Sequence, residues 1–382
     1  NMLFADILGQ AELIQKIRPM VLQKQLPHAI LLSAPEGAGG FAFAWALAQY
    51  ITCLQRSEVD ACGVCSSCLK MSSMQHPDVH YSFPTIRKDG ATKPSVSDDF
   101  IKEFRAFRLQ HIYGEDKDWF AFLKTEKQGN ITAAECRDMI RKLTMRSFES
   151  EYKVMIVWCP EYLDNEGNIL LKLIEEPTPK TILLLVTTSP ESILQTIQSR
   201  TQLFPLKRLQ SKDMAAALEK RGVPSFKAIQ YSRIAEGNYQ YALTLVNEVE
   251  NDFLQRTREW LNVLFTNNGS GLMEWITQIS ELSKEEQKTF LLYFMQLLEH
   301  LIRYKILGSD NLLLLEEEQK LMDVLIAKGM QEKRVMEWSA LIEKSLYAIE
   351  RNANTKILFH SLSLRIQALG LKAKEQERAS KV

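Results

Sequence analysis

Cys53, Cys62, Cys65 and Cys68 stand in one short run, CLQRSEVDACGVCSSCLK, with the spacing C-x8-C-x2-C-x2-C. Thiolates are soft ligands, and four of them close a tetrahedral shell around Zn²⁺ at Zn–S distances of about 2.3 Å. A filled shell leaves no open position for water, so the role expected is structural. Two other readings compete. CGVC is a C-x-x-C pair that could act as a redox dithiol, but this leaves two cysteines unexplained. A disulfide framework suits a secreted chain, and MLFADILGQ at the N-terminus has Asp6 early and no long apolar core, so no secretory signal is expected. Ligand count and spacing favour structural zinc. Cys136 and Cys159 stand alone in apolar surroundings and read as buried small hydrophobes.

A second site for chemistry lies just upstream. AILLS (29–33) precedes a glycine-rich turn and then a helical pattern, FAFAWALA. Strand, glycine turn and helix are the setting of a phosphate loop, G-x-x-x-x-G-K-[ST]. Aligned on Gly39, the first glycine is Ala34, the lysine is Gly40 and the Ser/Thr is Phe41. The lysine of such a loop reaches the β/γ-phosphates and the hydroxyl ligates Mg²⁺. Both are missing here. Gly37, Gly39 and Gly40 still offer backbone N–H groups to an anion. With no cation to help them, no ATP binding is expected.

These residues must be positioned by a chain of 382 residues, long enough for two or three domains. The chain has 47 basic and 47 acidic residues, so it lacks the overall basic field of a dedicated nucleic-acid binder. No apolar run reaches the length of a membrane span, and the expected compartment is the cytoplasm. Ala29–Ser33, Val154–Trp158 and Ile182–Thr187 are short and almost entirely apolar, as strands buried on both faces of a parallel sheet are. Helical patterns at 11–24, 40–55, 131–145 and 165–175 lie between them. The expectation is an α/β domain over 1–206. Residues 84–128 break this rhythm. A polar, turn-rich stretch leads into one rich in aromatics (Phe100, Phe104, Phe107, Trp119, Phe122), which reads as a small helical insertion with its own apolar face. Beyond 206 the patterns are helical throughout. Their apolar residues recur every three or four positions, which is core packing rather than a cofactor box. The tail 371–382 is charged and expected to fray.

Taken together, the motifs resemble the AAA+ clamp-loader family of bacterial DNA polymerase III, and within it the delta-prime subunits. The resemblance runs through FADILGQ (4–10), LPHAILLSAPEGAG (26–39), the four cysteines and HPDVH (76–80). Its most specific part is NILLKLIEEPTPKTILLLVTTSPESILQTIQSR (168–200), with looser matches in AEGNYQYAL (235–243) and NANTKILFHSLSLRI (352–366). It implies an α/β plus all-α architecture: a RecA-like AAA+ domain over 1–206 with a zinc module at about 53–68, a small helical lid over 207–250, and a C-terminal helical collar over 251–370. The cysteines fall where family members carry their zinc module.

The resemblance also locates two further losses. The Walker B strand, which ends in acidic residues that position Mg²⁺ and water, reads VMIVWCPEYL here, with Trp158 and Cys159 at those positions and Glu161 beyond them. The lid's sensor arginine, in the pattern G-S-x-R-D-A-L, is Gln240 of GNYQYAL. Lysine, hydroxyl, acidic pair and sensor arginine are all absent, which implies a protomer that does not hydrolyse ATP. What remains is Ser199-Arg200-Thr201, matching the family's Ser-Arg-Cys except at Thr201. The resemblance makes Arg200, with Ser199 beside it, an arginine finger that points into a neighbour's ATP site. A guanidinium keeps its charge and offers planar, bidentate donors to phosphate oxygens. Considered without the family, Arg200 would read as a helix cap or as the partner of a surface carboxylate.

The implied function is a non-catalytic subunit of the replicative clamp loader. Its implied partners are gamma/tau-like ATPase subunits and a delta-like subunit, with the sliding clamp and primed DNA met through the assembly. An active gamma-like ATPase is the first alternative, and the missing lysine at position 40 argues against it. A zinc-dependent nucleic-acid-binding module is the second, and zero net charge argues against that. His28, His76 and His80 read as structural. Glu175-Glu176-Pro177 reads as a helix end, not an acid–base pair. Lys172 is a candidate for facing DNA.

Overall fold

The computed structural model describes every residue except 1, 89, 91, 128, 249–252, 309–311, 313 and 380–382, with the backbone alone at 248, 307 and 371–379. By its internal contacts the chain divides into two units, Asn1–Met214 with Gly237–Tyr241, and Ala215–Glu236 with Ala242–Val382.

The first unit is built on a five-stranded parallel sheet: β1 (Ala29–Ser33), β2 (Val79–Ser82), β3 (Lys153–Trp158), β4 (Thr181–Thr187) and β5 (Gln202–Pro205), in the order β2-β3-β4-β1-β5. β4 is central. It pairs Leu183–Thr187 with Ala29–Ser33 on one side and Thr181–Val186 with Lys153–Trp158 on the other. Every residue of β3 and β4 is buried, which explains their near-continuous apolar sequences. The outer strands look different. β5 exposes three of its four residues and ends in Pro205, which an edge position tolerates because no ladder bond is needed there.

Helix α1 (Ala11–Leu22) turns Ile14, Ile17 and Val21 inward, while α2 (Gly40–Thr52) is buried at every residue. A helix apolar all round must be covered on all sides. β1 and β4 lie against one part of it, and α3 (Ser66–Ser72) against another, tied by Trp45 Nε1 donating to the Met71 carbonyl at 3.0 Å. The 84–128 stretch forms α4 (Ile101–Gln110) and α5 (Asp116–Phe122), as the aromatic pattern suggests. Its ends are pinned by a reciprocal backbone pair between Thr85 and Asn130, both bonds 3.0 Å. Phe104, Phe107 and Trp119 are fully buried, with the Phe104 ring stacked on Phe83 at 3.8 Å. Stretches with helical periodicity at 131–145 and 165–175 correspond to α6 (Ala133–Thr144) and to a 3-10 segment, Pro160–Leu170, leading into α7 (Leu171–Glu175). A short helix α8 (Gln195–Gln198) precedes β5.

The second unit contains long helices at Phe253–Phe265, Gly269–Glu281, Lys284–Leu307, Glu316–Ala327, Glu332–Glu350 and Thr355–Ala379. Ser283 and Glu286 form a reciprocal capping box at the start of Lys284–Leu307. Its core is aromatic. Trp260 stacks on Trp275 at 5.0 Å and donates its indole N–H to Ser363 Oγ at 2.9 Å. Arg233 and Tyr293 both donate to the buried Glu318 carboxylate, so the charge buried there is paired. Of the charged tail expected to fray, 371–379 instead continue the helix that begins at Thr355, and 380–382 lie outside the described residues. No described helix is long and apolar enough to cross a membrane.

Candidate functional site

Three sets of residues carry the chemistry expected from the sequence, and each rests on a different part of the first unit. The cysteine cluster is assembled from helix ends. Cys53 follows the last residue of α2, Cys65 caps the start of α3, and Cys68 lies within α3. All four sulfurs fall within 4.8 Å of one another, with Cys62 Sγ and Cys68 Sγ 4.0 Å apart. Tetrahedral zinc with bonds of about 2.3 Å sets its sulfurs about 3.8 Å apart. Two backbone N–H groups point at the sulfurs, Cys62 N–H to Cys53 Sγ and Cys65 N–H to Cys62 Sγ, both 3.3 Å. Burial raises the Cys53 and Cys68 thiols. Burial also acts on Cys65, but N–H groups of Cys68 and Leu54 and the neighbouring thiols outweigh it and bring Cys65 down to about 6. All six cysteines are free thiols. Donor set, spacing and N–H support fit a structural metal. Cys136 and Cys159 are buried away from the cluster, as expected.

The glycine-rich turn after β1 takes its shape from left-handed backbone at two glycines. Gly37 and Gly39 have φ of +67° and +87°, a region that side chains rarely enter. Its contents are the unexpected finding. The Gly37 N–H donates to Glu115 Oε1 at 2.8 Å. The ring of Tyr113 lies so close to Gly39 that a Cβ there would sit 2.4 Å from Cε1. The Tyr113 hydroxyl accepts the Leu8 N–H at 3.2 Å. Arg108 is fully buried, its guanidinium 4.0 Å from the centre of Phe41 and 3.8 Å from that of Trp158. It donates from Nη1 to the Gly114 carbonyl at 2.9 Å. Gln240 contacts His111 Nδ1 at 3.1 Å. A cavity of about 10 Å³, room for a single water, lies among Gly39, Gly40, Phe41, Tyr113, Glu115 and Trp158.

The electrostatics follow from this burial. Desolvation lowers the Arg108 guanidinium to about 9, against the opposing effect of Glu115, so it stays charged near neutral pH. Desolvation raises the Glu115 carboxyl to about 8, against the Gly37 N–H and Arg108. The expectation that no cation compensates for the missing lysine is therefore corrected, because the insertion brings Arg108 to the loop. Sequence reasoning missed Arg108, Tyr113 and Glu115. The signal available was a basic residue on an otherwise aromatic helix face, which does not say where that helix docks.

Arg200 follows α8 and is partly exposed, at 37% of its side chain. Its Nε is 2.5 Å from Glu175 Oε1, and Nη1 donates to the Thr196 carbonyl at 3.0 Å and to Ser199 Oγ at 3.2 Å. The structure thus joins Ser199 to Arg200, and it adds the carboxylate partner that the chain suggests when read without a family. None of these partners comes from the phosphate loop. Of the histidines, His28 bonds the Ile174 carbonyl and His76 Nδ1 accepts the Asp78 N–H. Glu175 is the last residue of α7, and Pro177 follows as a helix stop.

Residues 9–210 match the family model described as DNA polymerase III, delta subunit. The DNA polymerase III subunit gamma/tau of Mycobacterium bovis is 28% identical over 216 residues, 56% of this chain and 30% of that protein. The delta' subunit of Haemophilus influenzae is 31% identical over 180 residues, 47% of this chain and 42% of its own length. The delta' subunit of Bacillus subtilis is 27% identical over 204 residues, 53% and 49% of the two. The match thus spans less than half the length of each of these relatives. The family-model match over 9–210 takes in the sheet, the cysteine cluster, the phosphate loop and Arg200, more than half of the chain, and so the chain belongs to the DNA polymerase III delta subunit family of clamp-loader proteins.

Proposed function

We propose that this chain is a delta-prime-type subunit of a replicative clamp loader that hydrolyses no ATP itself and lends Arg200 to the ATP site of a neighbouring subunit. The observation that carries the reading is a contrast within one unit: the phosphate loop is filled by the chain's own side chains, while Arg200 stands partly exposed. The groups that would act on ATP are replaced by Gly40, Phe41, Trp158, Cys159 and Gln240. A guanidinium supplied in trans stabilises the charge that develops on the transferred phosphoryl group and is worth about 10³–10⁵ in rate. To do so, Arg200 exchanges the Glu175 carboxylate for phosphate oxygens. An exposed pair contributes only about 0–1 kcal/mol, so the exchange costs little.

In this reading 1–206 is the AAA+ domain, 207–250 the lid and 251–370 the collar that packs against neighbouring collars. The cysteine cluster holds one structural Zn²⁺. The partners are gamma/tau-like ATPases and a delta-like subunit in the cytoplasm, and the assembly as a whole meets the clamp and primed DNA. The test is a reconstituted loader carrying Arg200→Ala. The variant is expected to fold and assemble, with hydrolysis at the neighbouring site falling by about 10³ or more. Unchanged ATP turnover would overturn the reading.

A further inference from the structure

Two positions that hold magnesium in active phosphate-loop enzymes carry rings in this chain: Phe41 stands for the hydroxyl and Trp158 for the acidic residue. The Arg108 guanidinium lies between those rings, at cation–π distance from both. Among the described residues its Nε and Nη2 are buried without a hydrogen-bond partner, and the rings of Phe41 and Trp158 face the guanidinium. A fixed cation thus occupies the place between the two magnesium-holding positions. A few residues on, the side chain of Glu115 accepts the Gly37 N–H, a donor that serves phosphate oxygens in a working loop. Tyr113 covers Gly39, and His111 meets Gln240 at the sensor position. Five features of a nucleotide site are therefore met by one stretch of chain, residues 108–115, held in place by the Thr85–Asn130 pair and by the buried rings of α4 and α5.

We propose that segment 108–115 is an intramolecular ligand of the degenerate phosphate loop, with Arg108 in the place of the divalent cation, Glu115 in that of a phosphate oxygen and Tyr113 closing over Gly39. This rests on the reading that the protomer hydrolyses no ATP, and it gives the 84–128 insertion a role. The segment holds the loop in its liganded shape at all times, so the unit keeps one conformation whatever the nucleotide state of its neighbours.

The test uses the full chain, with inorganic pyrophosphate as the probe and thermal melting as the readout. Wild-type protein is expected to melt at the same temperature with and without millimolar pyrophosphate. Tyr113→Ala/Glu115→Ala empties the loop but keeps Arg108. It is expected to melt lower than wild type and to regain at least half of the loss when pyrophosphate is added, since a ligand bound only by the folded state raises stability by mass action. Glu115→Gln keeps the acceptor and the shape, and is expected to ignore pyrophosphate as wild type does. If the double variant does not fold, Glu115→Ala alone is read in the same way. A variant that melts with wild type, a destabilised variant that pyrophosphate does not raise, or a wild-type protein that responds as the variant does would each overturn the proposal. None of these outcomes involves Arg200 or ATP turnover. A loader indifferent to Arg200→Ala would defeat the arginine-finger part of the functional reading and leave this proposal standing.

Discussion

The Nε of Arg200 lies 2.5 Å from Oε1 of Glu175, so the arginine proposed to act in a neighbouring subunit is held by a carboxylate of its own. Both side chains are partly exposed, at 37% and 49%. Water screens such a pair, and it acts as a rest position rather than a structural bond. Glu175→Gln is therefore expected to change the stability of the isolated chain by no more than about 1 kcal/mol, and a reconstituted loader carrying it should keep its rate of ATP hydrolysis or exceed it. Denaturant melting and steady-state turnover check the two halves. A loss of turnover as large as that of Arg200→Ala would mean that Glu175 aims the arginine rather than parks it.

Glu115 sets a pH dependence that can be measured without partners. Burial raises its carboxyl from 4.5 to about 8 in the folded chain. Between those values the unfolded chain has released the proton while the folded chain still holds it. Stability then falls as pH rises through this window, and the contribution levels off above about 8. Glu115→Gln carries no titrating proton. Its stability relative to wild type should increase from pH 4.5 to about 8 and then stay constant. Parallel stability profiles for the two proteins would contradict this.

The cysteine cluster makes a prediction about metal content. Protein purified anaerobically should hold one Zn²⁺ per chain, and chelation should lower its melting temperature, because metal binding to a folded site is folding free energy. Cys68 is fully buried with its sulfur 4.0 Å from that of Cys62, and Cys68→Ser should reduce zinc affinity by about 10-fold or more. Elemental analysis reads the result directly. Full zinc occupancy in Cys68→Ser, or none in wild type, would contradict the assignment.

How much of this was legible in the sequence depended on how local each feature is. β1, β3 and β4 could be placed because strands buried on both faces are apolar at nearly every residue. β2 (VHYS) and β5 (QLFP) are short edge strands whose mixed composition resembles that of loops. The cysteines were legible because all four lie within 53–68. The phosphate loop could be recognised, and so could its losses, because backbone glycines and missing side chains are properties of one segment. Its occupant was not legible. Glu115 meets Gly37 across 78 positions of sequence, and no periodicity links them. The carboxylate beside Arg200 lies 25 residues before it, and the two are joined only when α7 and α8 pack together.

The central claim is that this clamp-loader family member has no working nucleotide site of its own. Calorimetric titration of ATP with magnesium into the purified full chain tests it most directly. The account predicts no heat of binding at millimolar ATP, because Arg108, Tyr113 and Glu115 already fill the loop. Saturable binding of one ATP per chain with micromolar affinity would contradict it.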